Sequence, residues 1–359
     1  MLAQAILSLP DAVVNDADES VFHVGAWSLL AEMGCLRYFE FGAESESVMA
    51  DMVVLGRQFE DGGLTFALGA QLFGAMTLLE WDLQPSSTVA KVRELSRSGM
   101  HLAHAISEPE SGSDVFSMRS VGVVEGDWIH VFGTKTYVSG GSEAEWALVY
   151  VMTDSSKGAM GGMSAILLHK DEWTLLGSMK KMGLRSCSMS SLAFDVRVPR
   201  ERVVGKVGGG YRSFMKAMDW ERTGLSAVHV GTMERVFAKT IAFANLRHQG
   251  GCAIAKHQAV AFMIAEMKVA IETSRVLVEK AAATLGHKAN SKERTKAAAM
   301  AKLHTSEHLV EVCKKAMQIH GGSGYVHGVG PERWMRDALA ATIYSGTSEI
   351  QRKLIAGLL

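Results

Sequence analysis

The stretch WIHVFGTKTYVSG, residues 128–140, alternates apolar and polar side chains and ends in Ser and Gly, which is typical of a β-strand that closes in a turn. Similar runs follow as WALVYVMTD, residues 146–154, MSAILLHKD, residues 163–171, and SLAFDVRVP, residues 191–199. Gly, Ser and Asp residues separate them. The middle of the chain is therefore predicted to form a β barrel or sandwich.

Helical periodicity lies on both sides of this segment. Before it, apolar residues recur at helical spacing in FHVGAWSLLAEMG, VMADMVVLGRQFED and LTFALGAQLFGAMTLLEW, which predicts three or four packed helices between residues 21 and 83. After it, three longer periodic stretches cover residues 215–247, 257–286 and 291–322, and they are long enough for a helical bundle.

The order of helices, strands and helices favours segregated layers over alternating βα units. We predict an α+β protein with a helical N-terminal domain at residues 1–100, a β domain at residues 101–205 and a C-terminal helical bundle at residues 206–359. The glycine-rich GKVGGGY, residues 205–211, lacks the spacing of a dinucleotide-binding fingerprint.

Charge and composition narrow the function. Lys plus Arg, 37 residues, nearly balances Asp plus Glu, 38 residues, and no basic run is interleaved with aromatics, so we expect neither nucleic acid nor a membrane surface as a partner. The first residues, MLAQAILSLPDAVVND, show no basic flank or cleavage site, so no signal peptide or membrane span is predicted.

The metal-binding residue types are dispersed. Cys35, Cys187, Cys252 and Cys313 stand singly, without the paired spacing of a zinc site or the density of a disulfide scaffold, which indicates a reducing cytoplasm. The histidines at positions 101 and 104 have no Cys or carboxylate at ligand spacing. We expect no metal site.

Several motifs together resemble one family, the acyl-CoA dehydrogenases. They are ISEPESGSD at residues 106–114, GTKTYVSGG at residues 133–141, the run from residue 247 to residue 258, QIHGGSGY at residues 318–325 and YSGTSEIQR at residues 344–352. The resemblance covers about residues 100–359 and implies that family's three-domain fold, with a central β barrel and a C-terminal four-helix bundle. The N-terminal quarter matches less well, since LRYFEFGAES, residues 36–45, replaces a Pro- and Gly-containing loop.

The resemblance implies that a base removes the α proton of an acyl thioester while FAD accepts the β hydride. The family's commonest base is a Glu before Gly-Thr in the C-terminal motif, where this chain has Ser345. Isovaleryl-CoA dehydrogenase and some relatives instead carry the carboxylate on a third-domain helix, in a context that resembles Asp219-Trp220-Glu221-Arg222 here. Glu221 is therefore the predicted base, although a Glu on a helix is usually a solvated surface residue.

Three further residues are predicted to bind the substrate. Arg222 matches a family Arg that shapes the wall of the active site, unless it is a surface Arg paired with Asp219. Ser345 and Gly346 match the turn whose backbone amide binds the thioester carbonyl, as an oxyanion hole does. The Ser345 side chain either leaves room for Glu221 or takes part in a proton relay.

The resemblance also implies FAD-binding residues in the β segment. Ile106 and Ser107 match contacts to the pyrimidine edge of the flavin, while Tyr137 and Ser139 match a stacking aromatic and a hydroxyl near N5. Taken alone, Tyr137 could fill a core and Ser107 could cap a helix. The pyrophosphate positions are matched by Gly112 and Ser113.

Other FAD contacts match C-terminal positions. Thr347 and Glu349 close the cofactor region, at a place where Thr-Ser-Glu could also cap a helix. Arg247 and Gln258 match a pair that reaches the FAD of a neighbouring subunit, so the resemblance implies a homo-oligomer, with a homotetramer expected. The positions that match adenine and ribose contacts are Gln318, Gly321 and Gly322. Gly250 replaces a family aromatic in this region.

The chain also resembles the subgroup that desaturates prolyl groups on peptidyl carrier proteins in pyrrole biosynthesis. In that subgroup too, a Trp-Glu pair precedes the helix and a Ser precedes Gly-Thr. This resemblance narrows the range of expected substrates. We therefore expect a small acyl or aminoacyl group on a phosphopantetheine arm, in secondary metabolism. A short or branched acyl-CoA is the alternative within this chemistry, and a non-catalytic or nucleic-acid-binding relative is the alternative outside it. The sequence leaves the electron acceptor open.

Overall fold

The computed structural model describes residues 24–36, 44–79, 86–286 and 289–359. It shows helices, then a sheet, then helices, so the predicted α+β class and the predicted order of its layers are confirmed. Most of the divergent LRYFEFGAES segment and the N-terminal residues considered as a leader lie outside the described residues. The domain boundaries remain predictions.

The N-terminal layer contains apolar helices that are buried against the rest of the protein. Its helices are α1, Val24–Glu32; α2, Ser45–Gln58; α3, Gly62–Leu79; and α4, Ser87–Arg97. Ahead of α3, the Asp61 carboxylate accepts a hydrogen bond of 3.1 Å from the Leu64 amide and so satisfies one of the free amides of the first turn. Helix α3 has the length and hydropathy of a membrane span, but 89% of it is buried inside the protein, as in a core helix.

The middle layer is one seven-stranded sheet that curls into a half-barrel. Its strands are β1, Leu102–Ala105; β2, Val121–Glu125; β3, Trp128–Ser139; β4, Trp146–Met152; β5, Met163–His169; β6, Thr174–Ser178; and β7, Met189–Pro199. The strand order is β1-β4-β2-β3-β7-β6, and β5 pairs with β4. The first predicted strand is therefore the long β3, which pairs with both β2 and β7.

The C-terminal layer is built on three long helices and two shorter ones. These helices are α6, Gly210–Leu246; α7, Gln258–Leu285; α8, Ser291–His320; α9, Pro331–Ala340; and α10, Ser348–Gly357. The remaining helix, α5, Gly158–Gly162, is short and belongs to the β layer. A small hairpin joins α6 to α7 through β8, His248–Gln249, and β9, Cys252–Ala253. Helix α6 contacts α2, α3, α7 and α8, so it links the two helical layers.

Helices α2 and α6 touch backbone to backbone through a pair of glycines. A Cβ atom added to Gly231 would lie 2.0 Å from the Val53 carbonyl oxygen, and one added to Gly56 would lie 2.2 Å from the Val228 carbonyl oxygen. Neither helix can accept a side chain there without moving. The glycines therefore fix the position of α6 against the N-terminal layer.

Replacement of Gly231 by Ala should separate α2 from α6 and destabilise the folded protein by about 1–3 kcal/mol, the usual cost of overpacking. Gly357→Ala is the matched control, because Gly357 lies in α10 with open space around its Cα, so a methyl group there should be neutral or slightly stabilising. Thermal denaturation compares the two variants. Equal melting temperatures would contradict a close helix contact at Gly231.

Candidate active site

The predicted base, Glu221, lies in the first half of α6 at the junction of the helical layers. Its side chain keeps some contact with solvent in the single chain. Protein atoms nevertheless surround the carboxyl group, and this desolvation raises its pKa to about 7, against the opposing effects of a Ser345 hydrogen bond and the charges of Arg222 and Lys302. Glu221 is thus a carboxyl group poised between its two protonation states near neutral pH.

Glu221 faces a strained turn, Ser345–Gly346, which precedes α10. Ser345 has φ of 55° and Gly346 has φ of 84°, so two successive residues are left-handed, which is unfavourable for the serine. The Ser345 side chain interacts with the Glu221 carboxyl group and lowers its pKa. From the sequence, the Ser345 side chain was expected either to leave room for Glu221 or to take part in a proton relay. The structure adds that this side chain lies against the predicted base.

Side chains hold the carbonyl groups of this turn. The Ser345 carbonyl oxygen accepts a hydrogen bond of 3.2 Å from Arg222 Nε, and the Gly346 carbonyl oxygen accepts one of 2.8 Å from Lys302 Nζ. Gln351 Nε2 donates to both oxygens, at 3.2 and 2.7 Å. In the described part of the chain no acceptor is bound to the Ser345 amide, so this amide is a free donor beside Glu221.

Arg222 is held from its other side by a buried acid. Asp219, one turn earlier on α6, lies 3.9 Å from Arg222 Nη1 and accepts hydrogen bonds of 3.0 Å from Arg294 Nε and the Thr295 hydroxyl. The alternative that Arg222 is a surface residue is excluded, because the side chain is buried. The Arg222 guanidinium therefore lies between the Asp219 carboxylate and the Ser345 carbonyl group.

Behind the turn lies a group of polar side chains that was not predicted from the sequence as part of the site. The His229 imidazole lies 2.7 Å from the Tyr344 hydroxyl and 3.1 Å from the Thr305 hydroxyl, and burial lowers its pKa to about 3, so the ring is neutral. Burial also raises the pKa of Tyr344. The Lys302 ammonium lies 6.0 Å from the centre of the Tyr344 ring. His229 and Thr305 were marked in the sequence only by helical spacing, which does not separate a buried polar residue from a surface one. Tyr344 opens the quoted motif YSGTSEIQR, but the motif gave no sign of its contact with His229.

The β-layer part of the predicted FAD site is pinned by a buried ion pair. Lys135 Nζ on β3 donates to the Ile106 carbonyl at 3.0 Å and to Glu108 Oε1 at 2.8 Å. Burial alone would raise the pKa of Glu108, but Lys135, the Arg119 amide and Ser120 together lower it. Strand β3 also binds Ser107, the residue after Ile106, since the Thr136 amide donates to the Ser107 carbonyl at 2.9 Å. The loop that carries Ile106 and Ser107 is therefore held rigidly against β3.

Tyr137 stands out from this strand. It has φ of 56°, lies where the register of β3 against β7 shifts, and is 61% exposed. The alternative that it fills a core is therefore excluded, and the bulge turns its ring outward, where an aromatic cofactor could stack. Ser139 is half-buried two residues later, and Gly112 and Ser113 lie exposed in the loop after Glu108, with open space beside Gly112. These residues fit an FAD site.

The other predicted FAD residues lie elsewhere. Arg247 follows the end of α6, and at about 1.5 Å per residue it is roughly 39 Å along the helix from Glu221. Five of the predicted contacts are exposed on this distant side, namely Arg247, Gln258, Gln318, Gly321 and Gly322. Thr347 caps α10 by accepting a hydrogen bond of 3.3 Å from the Ile350 amide, and Glu349 is exposed in the first turn. Among the described residues there is no cluster of three metal-binding side chains.

The chain matches known proteins over most of its length. Residues 103–196 match the family model of the acyl-CoA dehydrogenase middle domain, and residues 208–359 match that of the C-terminal domain. The caffeyl-CoA reductase-Etf complex subunit CarC of Acetobacterium woodii is 39% identical over 260 residues, which cover 72% of this chain and 68% of the relative. The short-chain specific acyl-CoA dehydrogenase of Clostridium acetobutylicum is 38% identical over 71% of this chain and 67% of its own.

Among solved structures, that of the prolyl acyl carrier protein oxidase AnaB is similar, with a TM-score of 0.92 and 32% identity. The match covers 99% of this chain and 96% of the solved chain. The described architecture is therefore shared along both chains.

Loss of the Lys135 charge should release the loop at Ile106. In Lys135→Met, Glu108 would remain buried without its partner, which typically costs about 3–5 kcal/mol, and the protein should lose FAD and melt at a lower temperature. The control is Lys268→Met, which breaks an exposed ion pair with Glu272 and should change little. The double variant Lys135→Met, Glu108→Gln should recover part of the loss. FAD content and melting curves test this, and a stable, FAD-loaded single variant would contradict it.

Proposed function

Because this chain belongs to the acyl-CoA dehydrogenase family, whose members are FAD-dependent oxidoreductases, we propose that it desaturates a small acyl or aminoacyl thioester between its α and β carbons. Glu221 serves as the base. The observation that carries this proposal is the contact of a desolvated Glu221 carboxyl group with the Ser345–Gly346 turn, where a free amide lies beside it.

The residues of the turn suit the removal of a weakly acidic proton. The Ser345 amide would donate to the thioester carbonyl and stabilise the negative charge that develops on its oxygen as Glu221 takes the α proton. Since desolvation raises the pKa of Glu221, the carboxylate is a stronger base than one in water. FAD, when bound, accepts the hydride from the β carbon, and Ile106, Ser107, Gly112, Ser113, Tyr137 and Ser139 would hold it.

The proposed substrate is a thioester on a phosphopantetheine arm attached to a carrier protein. This proposal is supported by the likeness to AnaB, which is described as a prolyl acyl carrier protein oxidase. A short-chain acyl-CoA is the second candidate, supported by the Clostridium relative. Prolyl-loaded carrier protein and butyryl-CoA should be compared as probes by flavin bleaching; faster bleaching by butyryl-CoA would favour the second candidate. The Acetobacterium relative, named as an Etf complex subunit, supports an electron-transfer flavoprotein as the oxidant to test.

We also propose a homotetramer. An apolar stripe on the outer face of α7 repeats at seven-residue spacing, with Phe262, Val269 and Val276 exposed by 61, 62 and 61%. Arg247, at the far end of α6, cannot reach a flavin beside Glu221 of its own chain. A second copy covering α7 would bury the stripe and could place Arg247 and Gln258 against a neighbour's cofactor.

Glu221→Gln should retain FAD but lower the rate of flavin bleaching by substrate by about a hundredfold to ten-thousandfold, because the amide cannot accept the proton. In the wild-type protein kcat/KM should fall as the pH drops below about 7, where Glu221 becomes protonated. Stopped-flow absorbance measures both effects. Glu293→Gln, on the exposed first turn of α8, is the control and should bleach normally. Wild-type bleaching by Glu221→Gln would show that another group is the base.

Val269→Lys should dissociate the oligomer, since it places a charge in the middle of the apolar stripe, and the dissociated protein should lose FAD. Val123→Lys is the control, because Val123 is also an exposed valine but lies on β2, outside the α7 stripe. Light scattering with absorbance detection gives mass and FAD content together. A wild-type monomer loaded with FAD would refute both the assembly and the shared cofactor site.

A further inference from the structure

Lys302 is a fully buried lysine in the middle of α8, with 0% of its surface exposed. Its ammonium group makes one side-chain hydrogen bond among the described residues, the 2.8 Å bond to the Gly346 carbonyl, and no described carboxylate lies within 4.0 Å of it. An isolated buried charge is costly unless it is compensated. A lysine that served only to fill space would be better replaced by an apolar residue.

We propose that Lys302 is a positioning residue for the base: its ammonium group holds the Ser345–Gly346 turn and keeps the Glu221 carboxyl group ionised. This inference rests on the proposed function of Glu221. The bond to Gly346 fixes the turn that carries the Ser345 amide and hydroxyl, both of which lie beside Glu221. The positive charge of Lys302 also lowers the pKa of Glu221 and so favours the carboxylate.

The charges around these two groups favour such coupling. Glu221 is affected by Arg222 on its own helix, by Lys302 from α8 and by the Ser345 hydroxyl, while the Tyr344 phenol beside it stays protonated. The charges that act on Lys302 are those of Arg222 and Glu221 on α6 and those of Glu349 and Glu307. Desolvation lowers the pKa of Lys302 to about 7, with Arg222 acting in the same direction and Glu221 in the opposite one. Lys302 and Glu221 therefore stabilise each other's charged forms near neutral pH.

Arg222 does not make Lys302 redundant. Asp219 lies 3.9 Å from the Arg222 guanidinium and offsets part of its charge. Lys302 has no such partner on its own helix, since Glu307 is not within ion-pair distance. Removal of Lys302 would leave Glu221 beside an already compensated arginine, so the neutral carboxylic acid would be favoured and the pKa of Glu221 would rise.

The test measures Glu221 directly in the FAD-loaded protein. Infrared absorption of the protonated carboxyl group is followed across pH, and subtraction of the Glu221→Gln spectra isolates the signal of Glu221. Lys302→Gln removes the charge but keeps a donor for the Gly346 carbonyl, Lys302→Met removes both, and Lys302→Arg keeps the charge. We expect the protonation midpoint of Glu221 to rise by about one pH unit in the Gln and Met variants and to return toward the wild-type value in the Arg variant.

Activity should follow the same shift. With whichever of prolyl carrier protein and butyryl-CoA bleaches the wild-type flavin, kcat/KM of Lys302→Gln should fall by about tenfold on the acidic side and recover at high pH, since one pKa unit is a tenfold change in ionisation. An unchanged infrared midpoint in Lys302→Gln, or a loss of rate equal at every pH, would overturn the role of Lys302. Wild-type bleaching by Glu221→Gln would overturn the proposed base instead, so the two failures are distinguishable.

Discussion

The desolvation of one carboxyl group, Glu221, is the constraint on which the site depends. Removal from water makes a carboxylate a stronger base but also favours its neutral form, which is no base at all. The surroundings of Glu221 balance these effects, because burial raises its pKa while a hydroxyl group and two cations lower it. The result, a pKa of about 7, leaves the group both reactive and partly ionised at neutral pH.

This balance requires rigid supports, and the fold supplies them from different layers. Gly56 and Gly231 bring α2 and α6 into backbone contact, which fixes the helix that carries Glu221. The turn at Ser345 is strained, so it needs bonds from outside itself, and Arg222, Lys302 and Gln351 provide them. A shift of any support would change distances in a low-dielectric site, where electrostatic effects are large.

The layers and the candidate base could be predicted from the sequence because both leave local signals. The alternating residues 128–139 form a strand, and the long periodic stretches form helices. The motif around Glu221 is short and contiguous, so it can be recognised without the fold. Lys302 left no such signal, since in a helix it resembles an ordinary solvated lysine. Gln351 lies in the quoted motif YSGTSEIQR, but the motif did not indicate that its side chain binds the turn. Their burial arises only when α8 and α10 pack against the turn, which is a tertiary effect. Tyr137 was predicted as a candidate from its motif, but its outward direction depends on a bulge that alternation alone does not predict.

The predicted FAD-binding residues lie in two separate parts of the chain. The rigid β-layer loop with its Lys135–Glu108 pair lies in the same chain as Glu221, whereas Arg247 lies roughly 39 Å away along α6. A straight helix cannot bring these two ends together, so the residues at its far end serve either no flavin or that of another copy. In the proposed oligomer each long α6 would therefore support its own base at one end and a neighbour's cofactor at the other. Binding of FAD would then stabilise the assembly as well as the subunit, because a ligand held by two chains favours the state in which both are present.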